Sequence, residues 1–148
     1  MNAKITIRLA NVDDTEAIRE INQQAFGYEF SLAETKKQLK RILSKPEIRI
    51  IVAEVNQRVV GYIHGADYDC TYAKPLKNIM AIGVLDEFRG LGIGRRLLDE
   101  VENWAKAEGC VGVRLVSGYN RAAAHQFYLR CGYYDRKDQK NFMKIFSS

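Results

Sequence analysis

Cysteine is scarce in this chain of 148 residues, and its few cysteines form no familiar pattern. Cys70, Cys110 and Cys131 are an odd number at wide spacings. A disulfide framework uses cysteines in pairs, and a structural zinc site uses closely spaced ligand pairs. We therefore expect reduced thiols and no bound metal.

Long apolar runs are also missing. No stretch approaches the roughly 20 apolar residues that span a bilayer, and no charged segment followed by an apolar one marks a secretory leader at the N-terminus. The chain has no internal repeat or low-complexity linker, and its 47% hydrophobic residues are enough for a core of ordinary size. These features predict a single cytoplasmic domain over residues 1–148, without a membrane partner.

Charge is only moderately unbalanced, since 23 Lys and Arg residues face 18 Asp and Glu residues for a net +5. This excess favours an anionic ligand or partner without identifying it. The basic face of a predicted helix is compatible with nucleic acid, but it lacks interleaved aromatic residues. That face comprises Lys36, Lys37, Lys40 and Arg41. We expect no nucleic-acid partner and leave a homodimer open.

The N-terminal part of the chain predicts a strand and two helices. Residues 4–10 alternate apolar and polar side chains, as a half-buried strand does. Asp13 or Asp14 is the predicted N-cap of the first helix. Ser31 is the predicted N-cap of the second, which ends before Pro46.

The middle of the chain predicts a β-hairpin followed by a loop. Residues 48–55 and 58–66 are apolar runs joined through Asn56 and Gln57. Residues 67–77 are polar and predict a loop.

The C-terminal part begins with a strand, a helix and a second strand between residues 78 and 116. This order predicts a βαβ crossover with parallel strands. A last helix starts after Asn120 and ends at Gly132, and a short final hairpin follows.

The stretch "FRGLGIGRRLL", residues 88–98, joins the predicted strand and helix of this crossover. Its glycines permit positive φ and close approach of an anion, and its arginines add charge. The glycines are Gly90, Gly92 and Gly94, and the arginines are Arg89, Arg95 and Arg96. Backbone N–H groups at a helix start bind phosphate, so the stretch predicts a phosphate nest. The spacing matches neither GxxxxGK[ST] nor GxGxxG, and the alternative is a tight connection with a solvated arginine-rich face.

Two motifs resemble the GNAT superfamily of N-acetyltransferases. "RGLGIG" fits its Q/R-x-x-G-x-G/A signature, with Arg89 in the leading position and Gly92 and Gly94 as the glycines. "LVSGYNRAAAHQFYLRCGY", residues 115–133, resembles the family's strand five, its asparagine-headed helix four and the closing Gly-aromatic pair. The N-terminal half matches in the order of its elements.

The resemblance implies a single-domain α/β fold. Its central sheet is mixed and mostly antiparallel, with about six or seven strands, a parallel splayed pair of strands four and five, and about four flanking helices. The resemblance also implies acetyl-CoA as cosubstrate, held by the backbone of the glycine loop and by strand four. The implied cofactor-binding residues are Ile82, Gly83, Val84, Arg89, Gly90, Leu91, Gly92, Ile93, Gly94, Arg95 and Asn120.

The implied reaction is direct transfer of an acetyl group from acetyl-CoA to a primary amine of a small molecule or peptide. Tyr128 matches the family's tyrosine acid, and a phenol with a pKa near 10 suits proton donation to a departing thiolate. Its alternative role is packing on the sheet. Asn120 contacts pantetheine, caps the helix or does both. A glycine at position 83 of the strand is explained by a bulge, by the close approach of a ligand or by simple packing.

The predicted fourth and fifth strands lack an acidic residue, although many family members place the general base there. "VGVRLV" in the fifth strand also argues against the ribosomal-protein N-terminal acetyltransferases. The missing acid keeps a second function open, a non-catalytic acyl-CoA-binding or sensing module, although retention of Tyr128 favours the enzyme.

The predicted acceptor site draws on two loops rich in aromatic and acidic residues. Tyr28 and Glu29 in one loop, with His64, Asp67 and Asp69 near the other, suit a cationic amine. His64, Asp67 and Asp69 also lie where they could activate the amine through water. Polyamines, aminoglycosides, lysine side chains and peptide N-termini all fit this description.

Overall fold

A computed structural model describes residues 4–147, which divide into two compact units, one ending at Val116 and the other beginning at Ser117. Within the described residues, the first unit holds a five-stranded sheet in the order β1-β2-β3-β4-β5. The strands are β1 Ile5–Leu9, β2 Ile48–Val55, β3 Arg58–Cys70, β4 Ala73–Val84 and β5 Val113–Leu115. The helices are α1 Thr15–Phe26, α2 Leu32–Leu43 and α3 Ile93–Ala107 in the first unit, and α4 Ala122–Arg130 in the second.

The predicted hairpin is confirmed as the antiparallel pair β2–β3. Asn56 and Gln57 form its turn with φ of 52° and 70°, both in the left-handed region. A two-residue turn of this kind needs positive φ at both positions because its twist then matches that of the strands. Asn-Gln therefore adopts the backbone that Asn-Gly adopts more easily.

The prediction of a polar loop over residues 67–77 is wrong, because β3 continues to Cys70 and β4 already begins at Ala73. Polar residues occupy these strands because they pair across the ladder, with Asp67 opposite Lys77. The Arg114 guanidinium also lies 4.2 Å from the centre of the Tyr68 ring. Such cross-strand contacts support strand structure without an apolar pattern.

The βαβ prediction is confirmed, because β4 and β5 are parallel and α3 connects them. Their pairing is short, running from Lys77 opposite Val113 to Ile79 opposite Leu115. Strand β4 continues beyond Ile79 to Val84. Within the described sheet, β5 does not follow it, so the two strands pair only at one end.

Helices cover both faces of the sheet in the first unit. On what we call the α1 face, the Tyr62 hydroxyl donates a hydrogen bond to Asn22 Oδ1 of α1. On the opposite α3 face, a Cβ at Gly65 would lie 3.2 Å from the Trp104 ring of α3. Helix α3 buries Leu97, Leu98, Val101 and Trp104 there. Ser31 caps α2 as predicted, since its Oγ accepts from the Glu34 N–H at 3.1 Å.

Asp14 holds the N-cap position of α1 as predicted, although its side chain makes no cap hydrogen bond there. Asn11 caps the 3₁₀ turn Val12–Asp14 that leads into α1. Its side chain accepts from the Asp13 N–H at 2.8 Å, and the Asp14 carboxylate accepts from the Asn11 N–H at 2.8 Å. Asp14 is 5% exposed and receives two hydrogen bonds from Arg8, at 2.8 and 2.9 Å. Burial alone would raise the pKa of the Asp14 carboxyl, but Arg8 and the Asn11 N–H hold it below its ordinary value.

The Arg8→Met variant is expected to lose about 2–4 kcal/mol of unfolding free energy at pH 7, because it leaves the Asp14 carboxylate buried without a counter-charge. A lowered folded-state pKa stabilises the protein above the unfolded pKa of about 3.9, and this contribution fades as pH falls through the folded value. The difference in unfolding free energy between wild type and variant should therefore become smaller below about pH 4. Urea unfolding at pH 7 measures the loss, and urea unfolding at pH 3.5 measures how much of it remains at low pH.

The Arg41→Met variant is the control for this experiment, because Arg41 is an exposed cation on α2. Its unfolding free energy should match that of the wild type at both pH values. A pH-independent loss in the Arg8 variant would contradict the role given to the Asp14 charge.

The second unit contains α4, which ends in a turn at Gly132 with φ of 92°. The Tyr133 N–H donates to the Tyr128 carbonyl at 3.0 Å across this turn. Residues 133–147 adopt neither helix nor strand, so the prediction of a final hairpin is wrong for the described residues. An isolated two-stranded hairpin is marginal in water. The strand count is accordingly five in the described chain instead of six or seven, and the single-domain assignment stays a prediction.

Candidate functional site

The glycine loop joins β4 to α3 within the first unit. After β4, residues Asp86–Phe88 form a 3₁₀ turn, and residues 89–92 lead into α3. Gly90 and Gly92 have φ of 82° and 78°, as the sequence predicts, and Gly92 is the N-cap of α3. Gly94 instead lies in the first turn of the helix and does not adopt the positive φ that glycine permits.

The start of α3 fits a phosphate group. The Arg96 N–H donates to the Gly92 carbonyl at 3.1 Å, which closes the first turn of the helix. The N–H groups of Ile93 and Gly94 precede this bond and therefore have no acceptor within the helix. No other described atom lies within 4 Å of a Cβ built on Gly90 or Gly92, so the loop is open. Exposed N–H groups at the positive end of a helix suit an anion.

The arginines around this loop make weak local contacts. Arg89 pairs with Asp86 at 3.2 Å and Arg95 with Asp99 at 3.4 Å, with all four side chains at least half exposed. Exposed ion pairs of this kind contribute about 0–1 kcal/mol, so a phosphate oxygen can replace the carboxylate. Arg96 donates to the Ile5 carbonyl of β1 at 3.4 Å. The arginines predicted from the sequence thus flank the loop and the start of α3.

Ile82, Gly83 and Val84 lie at the end of β4 that β5 does not pair. On the other edge of β4, Ile82 pairs with Ile63 of β3, Gly83 with Tyr62, and Val84 with Gly61. The ladder is irregular where His64 pairs with Ala81 and Gly65 with Ile79, which leaves Met80 as an extra residue in β4. The bulge is therefore at Met80 and not at Gly83. An unpaired strand edge can accept an extended ligand through backbone hydrogen bonds.

Gly83 is explained by helix packing. A Cβ on Gly83 would lie 2.9 Å from Ile21 Cγ2, 3.2 Å from Phe26 Cζ and 3.3 Å from Ala25 Cβ. All three atoms belong to α1, which approaches β4 closely at this point. Of the three roles considered for Gly83, the structure supports simple packing.

Tyr128 lies on α4 in the second unit. Its ring centre is 5.4 Å from that of Phe127 and 6.2 Å from that of Tyr133. Burial raises the pKa of the Tyr128 phenol above its ordinary value, although the nearby Arg121 charge opposes this. The phenol consequently keeps its proton throughout the neutral pH range.

The segment before α4 contains one predicted residue and one that the sequence did not single out. Asn120 is exposed, and Arg121 holds the N-cap position, where the described residues provide no side-chain cap. Asn120 is therefore not the cap. Within the described chain, the Ser117 hydroxyl oxygen is buried without a hydrogen-bond partner. An orphaned hydroxyl two residues after β5 is a candidate ligand contact, and no sequence pattern indicates it.

The structure separates Asp67 and Asp69 from His64 among the predicted acceptor residues. Tyr28 and Glu29 are exposed in the loop between α1 and α2, and the Tyr28 ring centre lies 5.7 Å from that of Phe26. His64 is on the α1 face, two residues from Tyr62, because alternate residues of a strand share a face. Burial lowers the pKa of the His64 imidazole, so it is neutral at pH 7.

Asp67 lies on the other face of the sheet, in a charge cluster with Lys77, Glu108 and Trp104. Lys77 and Trp104 are buried, whereas the Asp67 and Glu108 carboxylates are exposed. The Lys77 ammonium is 1% exposed and donates to Asp67 Oδ1 and, at 2.6 Å, to Glu108 Oε1. It lies 3.8 Å from the centre of the Trp104 ring, whose N–H donates to Glu108 at 2.7 Å. The two carboxylates raise the pKa of Lys77 although its burial opposes this. Asp67 is thus occupied by a structural cation.

Asp69 is exposed near the end of β3, five residues beyond His64. At about 3.3 Å per residue, the two lie roughly 16 Å apart along the strand. The structure therefore does not bring Asp67 and Asp69 together with His64. The residues that do lie on the His64 face are Tyr62 and, from α1, Asn22, which accepts the hydrogen bond of the Tyr62 hydroxyl.

Within residues 4–147, no three His, Cys, Asp or Glu side chains are arranged to hold a metal ion. No helix in that range is both long enough and apolar enough to cross a membrane.

The sequence also matches known families and proteins. The model of the acetyltransferase (GNAT) family matches residues 15–133. An uncharacterised N-acetyltransferase of Methanocaldococcus jannaschii is 35% identical over 135 residues, or 88% of this chain and 79% of the relative. The aminoalkylphosphonate N-acetyltransferase of Salmonella typhimurium is 28% identical over 128 residues, or 86% of this chain and 83% of the relative.

The fold matches solved structures over nearly its whole length. An aminoglycoside N-acetyltransferase in complex with CoA gives a TM-score of 0.86 at 17% identity, covering 97% of each chain. At this identity the match shows a shared fold. It agrees with the predicted mixed α/β sheet and its parallel β4–β5 pair.

Proposed function

Because this chain belongs to the acetyltransferase (GNAT) family, we propose that it transfers an acetyl group from acetyl-CoA directly to a primary amine of a small molecule or peptide. Membership confirms the sequence-based prediction of an acetyl-CoA-dependent acyltransferase. The identity of the amine acceptor and the roles of the residues that act on it are what we propose.

The observation that carries this proposal is the junction of β4 and α3. There, an open glycine loop at a helix start follows a strand edge that the described sheet leaves unpaired. The glycine loop suits a pyrophosphate, and the unpaired strand edge suits an extended pantetheine arm. The two adjoin in sequence and belong to the same unit, as one continuous cofactor requires.

The backbone N–H groups of residues 90–94 hold the pyrophosphate, with Arg89 and Arg95 adding charge. The backbone of Ile82, Gly83 and Val84 holds the pantetheine arm. Acetyl-CoA would supply an acetyl group activated as a thioester. Precise placement of that group beside an amine is itself a large source of rate enhancement.

Tyr128 is the proposed general acid. As the amine nitrogen bonds to the acetyl carbon and the carbon–sulfur bond breaks, Tyr128 donates its proton to the departing sulfur. Its raised pKa ensures that the proton is present at neutral pH. The phenol recovers a proton from solvent.

His64 is the proposed acceptor of the amine proton, through water. An amine must lose a proton to become nucleophilic, and a neutral imidazole can take it. Burial keeps His64 neutral, and β4 places the small residue Ala81 directly opposite it. This assignment provides a base where β4 and β5 carry no carboxylate.

The acceptor is proposed to be a small cationic amine. The relative from Salmonella is named for aminoalkylphosphonates and the CoA-bound structure for aminoglycosides, and both names denote small amines. The exposed Glu29 carboxylate and Tyr28 ring at the α1–α2 loop suit such a molecule.

Thiol release from acetyl-CoA tests the function. Purified protein is incubated with acetyl-CoA and a panel of aminoalkylphosphonates, aminoglycosides, polyamines, amino acids and peptides, and free CoA is measured with a thiol reagent. Release that depends on one amine class is expected. Saturable acetyl-CoA binding without release by any class would instead favour a non-catalytic acyl-CoA-binding module.

A further inference from the structure

Gln24 and Arg58 hold the 3₁₀ turn that precedes the glycine loop, and we propose that they position this loop for the cofactor pyrophosphate. The inference rests on the proposed function, because it concerns the same cofactor. Neither residue belongs to the family signature or to the predicted site. They are positioning residues, since they act through the turn.

Gln24 caps the turn from a distant part of the chain. The Asp86 N–H at the start of the turn donates to Gln24 Oε1 at 2.7 Å. Leu85, which holds the N-cap position, provides no side-chain cap within the described chain. The preceding Leu85 N–H is fixed to the Val60 carbonyl of β3 at 2.8 Å. Helix α1 therefore provides the acceptor that the turn lacks locally.

Arg58 holds the same turn from β3. Its guanidinium pairs with Glu87 at 3.4 Å and with Glu20 of α1 at 3.0 Å. It also lies 5.5 Å from the centre of the Phe88 ring. Each of these exposed contacts is weak alone. Together with the hydrogen bond from Asp86 to Gln24, however, the contacts of Arg58 with Glu87 and Phe88 hold all three residues of the turn.

This position matters because the loop after the turn is flexible by composition. Gly90 and Gly92 both adopt positive φ, and glycine has the widest choice of backbone angles. One end of the loop is fixed by α3, so the turn determines where the other end lies. Because Gly83 has no side chain, α1 packs close to β4. This close packing brings Gln24 within hydrogen-bond distance of Asp86.

The Gln24→Met variant tests the inference, with Gln23→Met as its matched control on the same helix. Both glutamines are exposed, so both variants should fold. Loss of one positioning hydrogen bond is expected to weaken acetyl-CoA binding about three- to tenfold in the Gln24 variant alone. Titration calorimetry measures the dissociation constants, and thermal unfolding verifies equal stability.

A second ligand separates positioning from general structural damage. S-acetylpantetheine lacks the pyrophosphate, so its affinity should be the same in wild type and the Gln24 variant. The Arg58→Met variant should show the same selective loss for acetyl-CoA. Equal affinities of the two glutamine variants for acetyl-CoA, or parallel losses for both ligands, would overturn the inference alone. A wild-type protein that does not bind acetyl-CoA would overturn the proposed function and this inference with it.

Discussion

The Tyr128→Phe variant is expected to turn over at least about 100-fold more slowly than the wild type, while its affinity for acetyl-CoA changes by less than about twofold. The substitution removes one hydroxyl and keeps the ring that packs near Phe127 and Tyr133. Only the proton donated to the departing sulfur is lost. Steady-state kinetics with the acceptor found in the panel, together with calorimetric binding, measure the two quantities separately.

The pH dependence gives a second readout of the same role. Burial raises the Tyr128 pKa above 10, so the acid form persists to higher pH than for an exposed tyrosine. Deprotonation of Tyr128 should therefore lower the wild-type kcat only above about pH 10, and the kcat of the Tyr128→Phe variant should not show this decline. Tyr134→Phe is the control, because Tyr134 is 78% exposed. Equal losses in turnover and in acetyl-CoA affinity would contradict the acid assignment.

The Gly92→Leu variant is expected to lose acetyl-CoA affinity by at least about 100-fold, since a side chain at the start of α3 disturbs the N–H groups that hold the pyrophosphate. Two charge-assisted hydrogen bonds, each contributing about 1.5–3 kcal/mol, account for a loss of this size. Leucine at φ of 78° also reduces stability by about 1–2 kcal/mol. Calorimetry measures the affinity of the folded variant.

Gly109→Leu is a closely matched control for this substitution. Gly109 follows the other end of α3, has φ of 74°, and a Cβ on it would have no other described atom within 4 Å. Both variants should therefore lose similar stability, while only the Gly92 variant loses acetyl-CoA affinity. Similar affinities in the two variants would contradict the nest assignment.

The local parts of the site could be predicted from the sequence. Gly90 and Gly92 follow a strand and open a helix, so their backbone angles depend on neighbours that the sequence shows directly. The βαβ crossover was equally readable, because α3 carries its apolar residues at helical spacing. Gly94 permits positive φ without adopting it, because it already lies inside α3, and a glycine signature does not reveal at which residue the helix begins.

The remaining parts depend on contacts between distant segments. Gly83 requires glycine because of Ile21, which lies 62 positions earlier in the chain. The pattern of residues 67–77 predicted a loop because Glu108, the partner of Lys77 directly after α3, cannot be identified from a local pattern. Gln24 carries no motif at all, and its contact with Asp86 emerges only when α1 packs on β4.

The charge cluster around the buried Lys77 gives the protein an optical reporter. Trp104 is the only tryptophan in the chain and is 4% exposed. Its indole has an ammonium group over one ring face and a carboxylate at its N–H. Its fluorescence therefore arises from one site, next to the end at which β4 and β5 pair. Any event that parts these strands at Lys77 changes the emission of a single fluorophore, without an added label.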